Sequence, residues 1–372
     1  MARRPNPAAE LMQTGPNRWT VWMRRALQLA ALADGQTSPN PLVGAVVLDV
    51  QGALVGEGFH AKAGEAHAEV GALAQAGTRA KGGTIIVTLE PCCHQGRTPP
   101  CTEAVIQAGI QRVVVALKDP DPRVAGGGIQ RLRDAGLEVI TGVLHAEAAQ
   151  QNRAFVHRVQ TGRPWGLLKW AMSLDGRTAL PNGESQWISA PPARAWVHQL
   201  RADCDAVIVG GGTVRADNPL LTSRGARSPE PLRVVLSRSL DLPAYAQLWD
   251  TSLASTLLAH GPARADRSLP EGPEPLELLA SEPLDLLEAL AQRGCNRVLW
   301  ECGPALAAAA LQQGCVQELA VVIAPKLLGG TLARTPLGDL GFLEMDQVIS
   351  LSAHTAERLG CDLLLRALTQ DP

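Results

Sequence analysis

Apolar residues recur at helical spacing from Trp19 to Ala33, with Trp22, Leu27, Leu29 and Ala30 on one face, and the Asp34-Gly35 breaker ends the run, which predicts an amphipathic helix. Residues 43–50 are apolar and β-branched, Gly52 marks a turn, and residues 54–59 read as the hairpin partner. The pattern then predicts a helix over 66–76, a strand over 84–89, a helix over 102–108, a strand over 112–116, a helix over 127–134 and a strand over 137–141. Such alternation predicts a layered α/β sheet. Residues 147–159 read as a connecting helix, and Thr161-Gly162-Arg163-Pro164 punctuates the chain.

A second α/β series follows, with strands over 165–172, 206–209, 232–236, 297–300 and 318–323 and helices over 192–201, 285–291 and 304–311. The Pro-rich, polar stretch 262–275 reads as loop. A chain of 372 residues exceeds one ordinary core. The expected organisation is a loose tail over 1–17, a first domain over 18–145, a connection over 146–163 and a second domain over 164–372.

Composition narrows the functional classes. With 46% hydrophobic and 19% charged residues the chain has material for buried cores. Lys plus Arg number 34 against 36 Asp plus Glu, so no global field draws the protein to nucleic acid or anionic lipid. Aromatics at 3% leave few platforms for stacking bases, so no nucleic-acid partner is expected. No run approaches the ~20 apolar residues that cross a bilayer, and Met1 to Arg18 lacks the apolar core of a signal peptide, so a cytoplasmic protein is expected. Of the eight cysteines only Cys92, Cys93 and Cys101 cluster, which points to a metal rather than to disulfides.

His67-Ala68-Glu69 stands at a predicted helix start, and Pro91-Cys92 and Cys101 flank the start of the next helix. Two thiolates and one imidazole bind Zn²⁺ and leave a fourth tetrahedral position for water, whose pKa the metal lowers toward ~7. Glu69, offset by two residues from His67, can reach that water as a proton shuttle without ligating the metal, which is the signature of zinc deaminases. The rival is a structural four-ligand site completed by Cys93 or His94; Glu69 favours catalysis.

Ser38-Pro39-Asn40-Pro41-Leu42-Val43-Gly44, His67-Ala68-Glu69 and the run from Thr88-Leu89-Glu90-Pro91-Cys92-Cys93-His94 through Arg97-Thr98-Pro99-Pro100-Cys101 together resemble the bifunctional deaminase-reductases of riboflavin biosynthesis. Cytidine and tRNA adenosine deaminases place two residues between their cysteines, whereas eight intervene here. The resemblance implies a cytidine-deaminase-like three-layer α/β/α domain followed by a dihydrofolate-reductase-like α/β domain. It implies zinc on His67, Cys92 and Cys101, Glu69 as the catalytic carboxylate and Asn40 as a substrate-binding residue. The implied substrate is 2,5-diamino-6-(5-phosphoribosylamino)pyrimidin-4(3H)-one, deaminated hydrolytically at C2. Lys118-Asp119-Pro120-Asp121-Pro122 and Val124-Ala125-Gly126-Gly127-Gly128 look like the family's own segments and also read as plain loop.

In the second half, Leu168-Lys169-Trp170-Ala171, Gly183-Glu184-Ser185-Gln186-Trp187 and the run from Gly210-Gly211-Gly212-Thr213 to Arg224 resemble the reductase partner, which takes NADPH. The resemblance places Ala171, Trp187, Thr213, Asp217, Ser237 and Gly303 on the cofactor. It places Ser185, Arg201, Leu221, Arg224 and Glu301 on the phosphorylated pyrimidine, together with Lys169 as the catalytic candidate, and it implies a homo-oligomer. Independently, Glu301-Cys302-Gly303-Pro304 leads a strand into a helix whose first amides can hold an anion, and Pro304 suits the first helical position. Cys302 occupies a place where the family's pattern has a small residue. Two competing readings stay open: a nucleic-acid or nucleoside deaminase with an accessory domain, and a zinc-stabilised binding protein.

Overall fold

The structure, a computed structural model, describes residues 18–95, 99–122, 124–262 and 268–369; the expected tail over 1–17 and Gly96-Arg97-Thr98 of the cysteine insert lie outside them. The chain forms two compact units that meet between Thr161 and Gly162.

In the first unit, helix α1 (Arg18–Ala31) precedes the hairpin of β1 (Gly44–Leu48) and β2 (Leu54–Phe59). Strand β1 stops short of the predicted residue 50 because Asp49 turns the chain: its carboxylate accepts from the amides of Gln51 and Ala53, both at 2.9 Å. Then follow α2 (Ala68–Ala76), β3 (Thr84–Leu89), α3 (Cys101–Gln107), β4 (Arg112–Leu117), α4 (Gly127–Asp134) and β5 (Glu138–Thr141). The sheet order is β2-β1-β3-β4-β5, with β1 antiparallel to both neighbours and β3, β4 and β5 parallel. Alternation along the strands sends Val113 and Val115 of β4 to the face covered by α2, α3 and α4, and Val114 and Ala116 to the face covered by α1. The expected three layers result.

The single connecting helix predicted over 147–159 is instead two helices, α5 (His145–Gln151) and α6 (Arg153–Thr161). The break falls at Asn152, whose side-chain amide donates to the Leu42 carbonyl at 2.9 Å and accepts from its amide at 2.8 Å. Ala148 of α5 is fully buried in the core beneath α1, so this segment packs with the first unit.

Helix α2 lies on β2 because β2 carries glycines where it crosses. A methyl at Gly58 would stand 2.4 Å from the Ala68 carbonyl oxygen and 2.6 Å from the Ala72 nitrogen. Gly58→Ala is therefore expected to push α2 off the sheet and lower stability by about 1–3 kcal/mol, read from urea melts. Because α2 carries the zinc motif, bound zinc should fall in parallel; an unchanged melt and metal content would show that the helix can yield.

The second unit is built on nine strands in the order β10-β9-β8-β7-β11-β6-β12-β14-β13. Strands β6 (Trp165–Ser173), β7 (Ala206–Gly210), β8 (Leu232–Ser237), β9 (Thr256–His260), β10 (Glu274–Glu277), β11 (Arg297–Trp300) and β12 (Glu318–Ala324) run parallel, and the hairpin β13 (Ser352–Leu359) and β14 (Asp362–Leu368) joins antiparallel. Helices α7 (Pro191–Ala202) and α8 (Gly211–Asp217) cover one face, and α9 (Pro283–Gln292) and α10 (Pro304–Gln312) the other. Of the predicted loop over 262–275, residues 263–267 lie outside the described ones and Glu274 and Pro275 open β10. Pro275 is tolerated because β10 is an edge strand, with no outer neighbour among the described residues to need its missing N–H. Both units are mixed α/β, as the alternating pattern predicts.

Candidate active sites

In the first unit His67 is the N-cap of α2 with extended backbone, which leaves Glu69 in the first helical turn. Cys101 opens α3, one residue earlier than predicted, and its amide donates to the Cys92 sulfur at 3.3 Å. The His67 Nδ1 lies 3.1 Å from Cys101 Sγ and 3.7 Å from Cys92 Sγ, and all three donor atoms fall within 4.8 Å of one another. No other cluster of metal-binding side chains occurs among the described residues. Cys93 packs its sulfur against Gly127 instead, so the four-ligand alternative gains no fourth donor there.

The electrostatics fit a cation. Cys101 donates a hydrogen bond to Cys92, which holds the Cys92 thiol well below its ordinary pKa and drives Cys101 well above, so the pair shares one proton. A divalent metal would replace that proton and ionise both sulfurs. Glu69 is 3% exposed, and burial pushes its carboxyl above the usual range, the direction that readies a carboxylate to carry protons near neutral pH.

Asn40 reaches this centre through a residue the sequence did not flag. Its side-chain nitrogen lies 3.0 Å from Nε2 of His60, while His60 Nδ1 lies 3.2 Å from the Ala66 carbonyl. The carbonyl can only accept, so Nδ1 carries the proton and Nε2 accepts from Asn40. The His60 ring packs edge-on against His67 with centroids 5.4 Å apart. A lone histidine after a strand carries no spacing signal, which is why it was missed.

In the second unit every reductase residue named from the resemblance lines a cavity of about 1330 Å³. Lys169 and Ala171 come from β6, Ser185 and Trp187 from the loop beyond it, Arg201 from α7, Thr213 and Asp217 from α8, and Ser237 from the end of β8. Leu221 and Arg224 lie in the loop after α8, and both have left-handed backbone, with φ of 57° and 56°. Such strain costs ~1–3 kcal/mol per residue and persists where the surroundings impose it, often at functional sites. The Gly-rich turn opens α8 rather than forming loop only, and Gly303 is the N-cap of α10 with Pro304 at its first position. A methyl at Gly303 would stand 3.8 Å from the Thr213 hydroxyl, so the two helix starts adjoin.

One step beyond the Leu168–Trp300 pair of β6 and β11, Lys169 and Glu301 come side by side. Arg201 grips Glu301 with both ends of its guanidinium, Nε at 2.6 Å and Nη2 at 3.0 Å, and spends Nη1 on the Thr222 carbonyl at 3.1 Å. Burial alone would raise the Glu301 carboxyl; Arg201, helped by Lys169, pulls it down to about 2. Burial lowers the pKa of Lys169, with Glu301 acting the other way. Cys302 also lines the cavity, and burial pushes its thiol up to about 12, so it stays a neutral wall group. Arg194, stacked 4.6 Å from the Trp187 ring, and Arg334, which faces Asp217, line the same cavity without having been read from the sequence.

Comparison with known proteins agrees with this division. Residues 17–117 match the cytidine and deoxycytidylate deaminase zinc-binding region, and residues 164–365 match the RibD C-terminal domain. The riboflavin biosynthesis protein RibD of Synechocystis sp. is 53% identical over 348 residues, covering 92% of this chain and 94% of its own. Among solved structures, Acinetobacter baumannii RibD is 42% identical with a TM-score of 0.85, covering 94% of this chain and 98% of its own. A Thermotoga maritima protein named as a diaminohydroxyphosphoribosylaminopyrimidine deaminase/5-amino-6-(5-phosphoribosylamino)uracil reductase is 33% identical at the same TM-score, with 94% and 98% covered.

Proposed function

The chain belongs to the RibD family, the bifunctional deaminase-reductases of riboflavin biosynthesis, and we propose that residues 18–145 deaminate and residues 164–372 reduce, with 146–163 joining them. The enzyme uses Zn²⁺ and NADPH and acts on a small phosphorylated pyrimidine. The observation that carries the first half is the convergence of His67, Cys92 and Cys101 within 4.8 Å beside the buried Glu69. The rival nucleic-acid deaminase gives no account of the match over residues 164–365.

His67, Cys92 and Cys101 would hold the zinc, which would supply a water of lowered pKa. Glu69 would carry one proton from the attacking water to the departing amino group at C2 of 2,5-diamino-6-(5-phosphoribosylamino)pyrimidin-4(3H)-one, so that water enters and ammonia leaves. Asn40, fixed by His60, recognises the base.

The second unit would hold NADPH, whose chemistry there would be to supply a hydride to C1′ of the sugar. Ala171, Trp187, Thr213, Asp217, Ser237 and Gly303 align the cofactor. Ser185, Leu221 and Glu301 line the substrate side, and Arg224 takes the phosphate with the two N–H groups that Arg201 has not already spent. Opening the sugar ring leaves its oxygen in need of a proton, and Lys169, whose ammonium is destabilised by burial, is the readiest donor on the cavity wall. Cys92 and Cys101, which lie together as metal-binding thiols rather than as a disulfide, support a reducing, cytoplasmic setting. Exposed Leu343 and Met345 support a homo-oligomer.

The test supplies the diamino substrate with and without NADPH. Without it, ammonia and 5-amino-6-(5-phosphoribosylamino)uracil should accumulate; with it, the ribityl product should form and NADPH disappear. Stripping zinc with a chelator should stop ammonia release yet leave reduction of the deaminated intermediate at its full rate. Equal loss of both activities would refute the division between units.

A further inference from the structure

Glu90 sits between the end of β3 and the ligand Cys92, and it is only 3% exposed. Its carboxylate accepts three backbone N–H groups from a segment about thirty to forty positions ahead in the chain: Asp119 at 3.2 Å and Gly126 at 2.9 Å on Oε2, and Ile129 at 3.0 Å on Oε1. Gly126 is the N-cap of α4 and Ile129 its third residue, so a distant side chain supplies the cap that the local sequence, all glycine there, lacks. The negative charge also stands at the favourable end of the helix dipole.

The segment thus fastened is the Asp-Pro and Gly-rich stretch that simple loop chemistry otherwise explains. It abuts the metal-binding turn. A methyl at Gly128 would stand 2.0 Å from the Pro91 carbonyl oxygen, and one at Gly127 would stand 3.1 Å from Cys93 Sγ. One buried carboxylate therefore ties the turn that carries Cys92 and His94 to the loop that faces it.

We infer that Glu90 is a positioning residue of the deaminase site, clamping Asp119 and the start of α4 from Gly126 to Ile129 against the Pro91–His94 turn so that they form a wall against which the substrate binds. The inference rests on the deaminase reading above. Loss of the clamp weakens contacts that ground state and transition state share, without touching the proton carrier or the metal. Such a loss raises KM and leaves kcat alone.

In zinc-loaded full-length enzyme, Glu90→Gln should keep its zinc and its reductase rate, raise the deaminase KM about tenfold and change kcat by less than about threefold. Glu90→Asp keeps both oxygens on a shorter arm and should fall between the two. Gly128→Ala opens the same seam from the other side and should raise KM likewise. Amide hydrogen exchange, which needs no turnover, should speed up at Asp119, Gly126 and Ile129 in Glu90→Gln and stay slow elsewhere in the unit. A wild-type KM in Glu90→Gln overturns the inference, as does a fall in kcat at constant KM, or loss of zinc in both Glu90 variants. If the unaltered protein released no ammonia, the deaminase reading would fail instead, while the exchange comparison would still decide the clamp.

Discussion

Glu69→Gln is expected to cut ammonia release by about 10²- to 10⁴-fold, the share that a positioned proton carrier contributes. Glutamine matches the side chain in size and keeps a carbonyl acceptor, so the helix start and the three ligands keep their places. Zinc content should stay at the wild-type value, and the reductase should still consume the deaminated intermediate with NADPH. Burial argues in the same direction for stability: a carboxyl whose ionised form is disfavoured by its surroundings loses little when replaced by a neutral amide. Ammonia assays, metal analysis and the reductase assay on one preparation separate the outcomes. Normal deamination in the variant would remove Glu69 from the chemistry; zinc loss would recast it as a support for the metal site.

What was legible in the sequence tracks how local the cause is. His67-Ala68-Glu69 and the cysteine pair stand out because zinc ligation imposes short spacings, and the folded chain brings those donor atoms together. The cavity residues of the second unit come from seven separate segments, so no spacing could join them, and only resemblance to known sequences did. Helix α8 carries no helical signal in the sequence because three glycines, poor helix formers, stand at its start. Packing overrides propensity there, since a side chain at Gly211 would crowd Leu242 and the Ser237 hydroxyl, at 3.2 and 3.3 Å. The β13–β14 hairpin escaped notice because Ser352–Leu359 is largely exposed and its polar residues follow no strict alternation. His60 and Glu90 share a different obscurity: each acts on backbone or side chains twenty to forty positions away, where sequence offers no period to read.

Lys169→Met should abolish reduction while deamination continues, so that 5-amino-6-(5-phosphoribosylamino)uracil accumulates even with NADPH in excess. Loss of a proton donor is expected to slow the step about 10²- to 10⁴-fold. The variant should nonetheless fold at least as well as the parent. Burial already disfavours the Lys169 ammonium, and Glu301 keeps its two-pronged bond to Arg201 when the lysine goes. Glu301→Gln is the instructive contrast. The side chains of Arg201 and Glu301 are only 14% and 11% exposed, so removing the carboxylate strands a desolvated guanidinium and should cost about 3–5 kcal/mol. A stable, reduction-dead Lys169→Met beside a destabilised Glu301→Gln would separate chemistry from scaffolding in one cluster. NADPH affinity, followed by the cofactor's fluorescence, should be unchanged in Lys169→Met, because the lysine belongs to the substrate side. Wild-type reductase rates in that variant would exclude Lys169 from proton transfer, and the ring oxygen would then have to draw its proton from another group on the cavity wall.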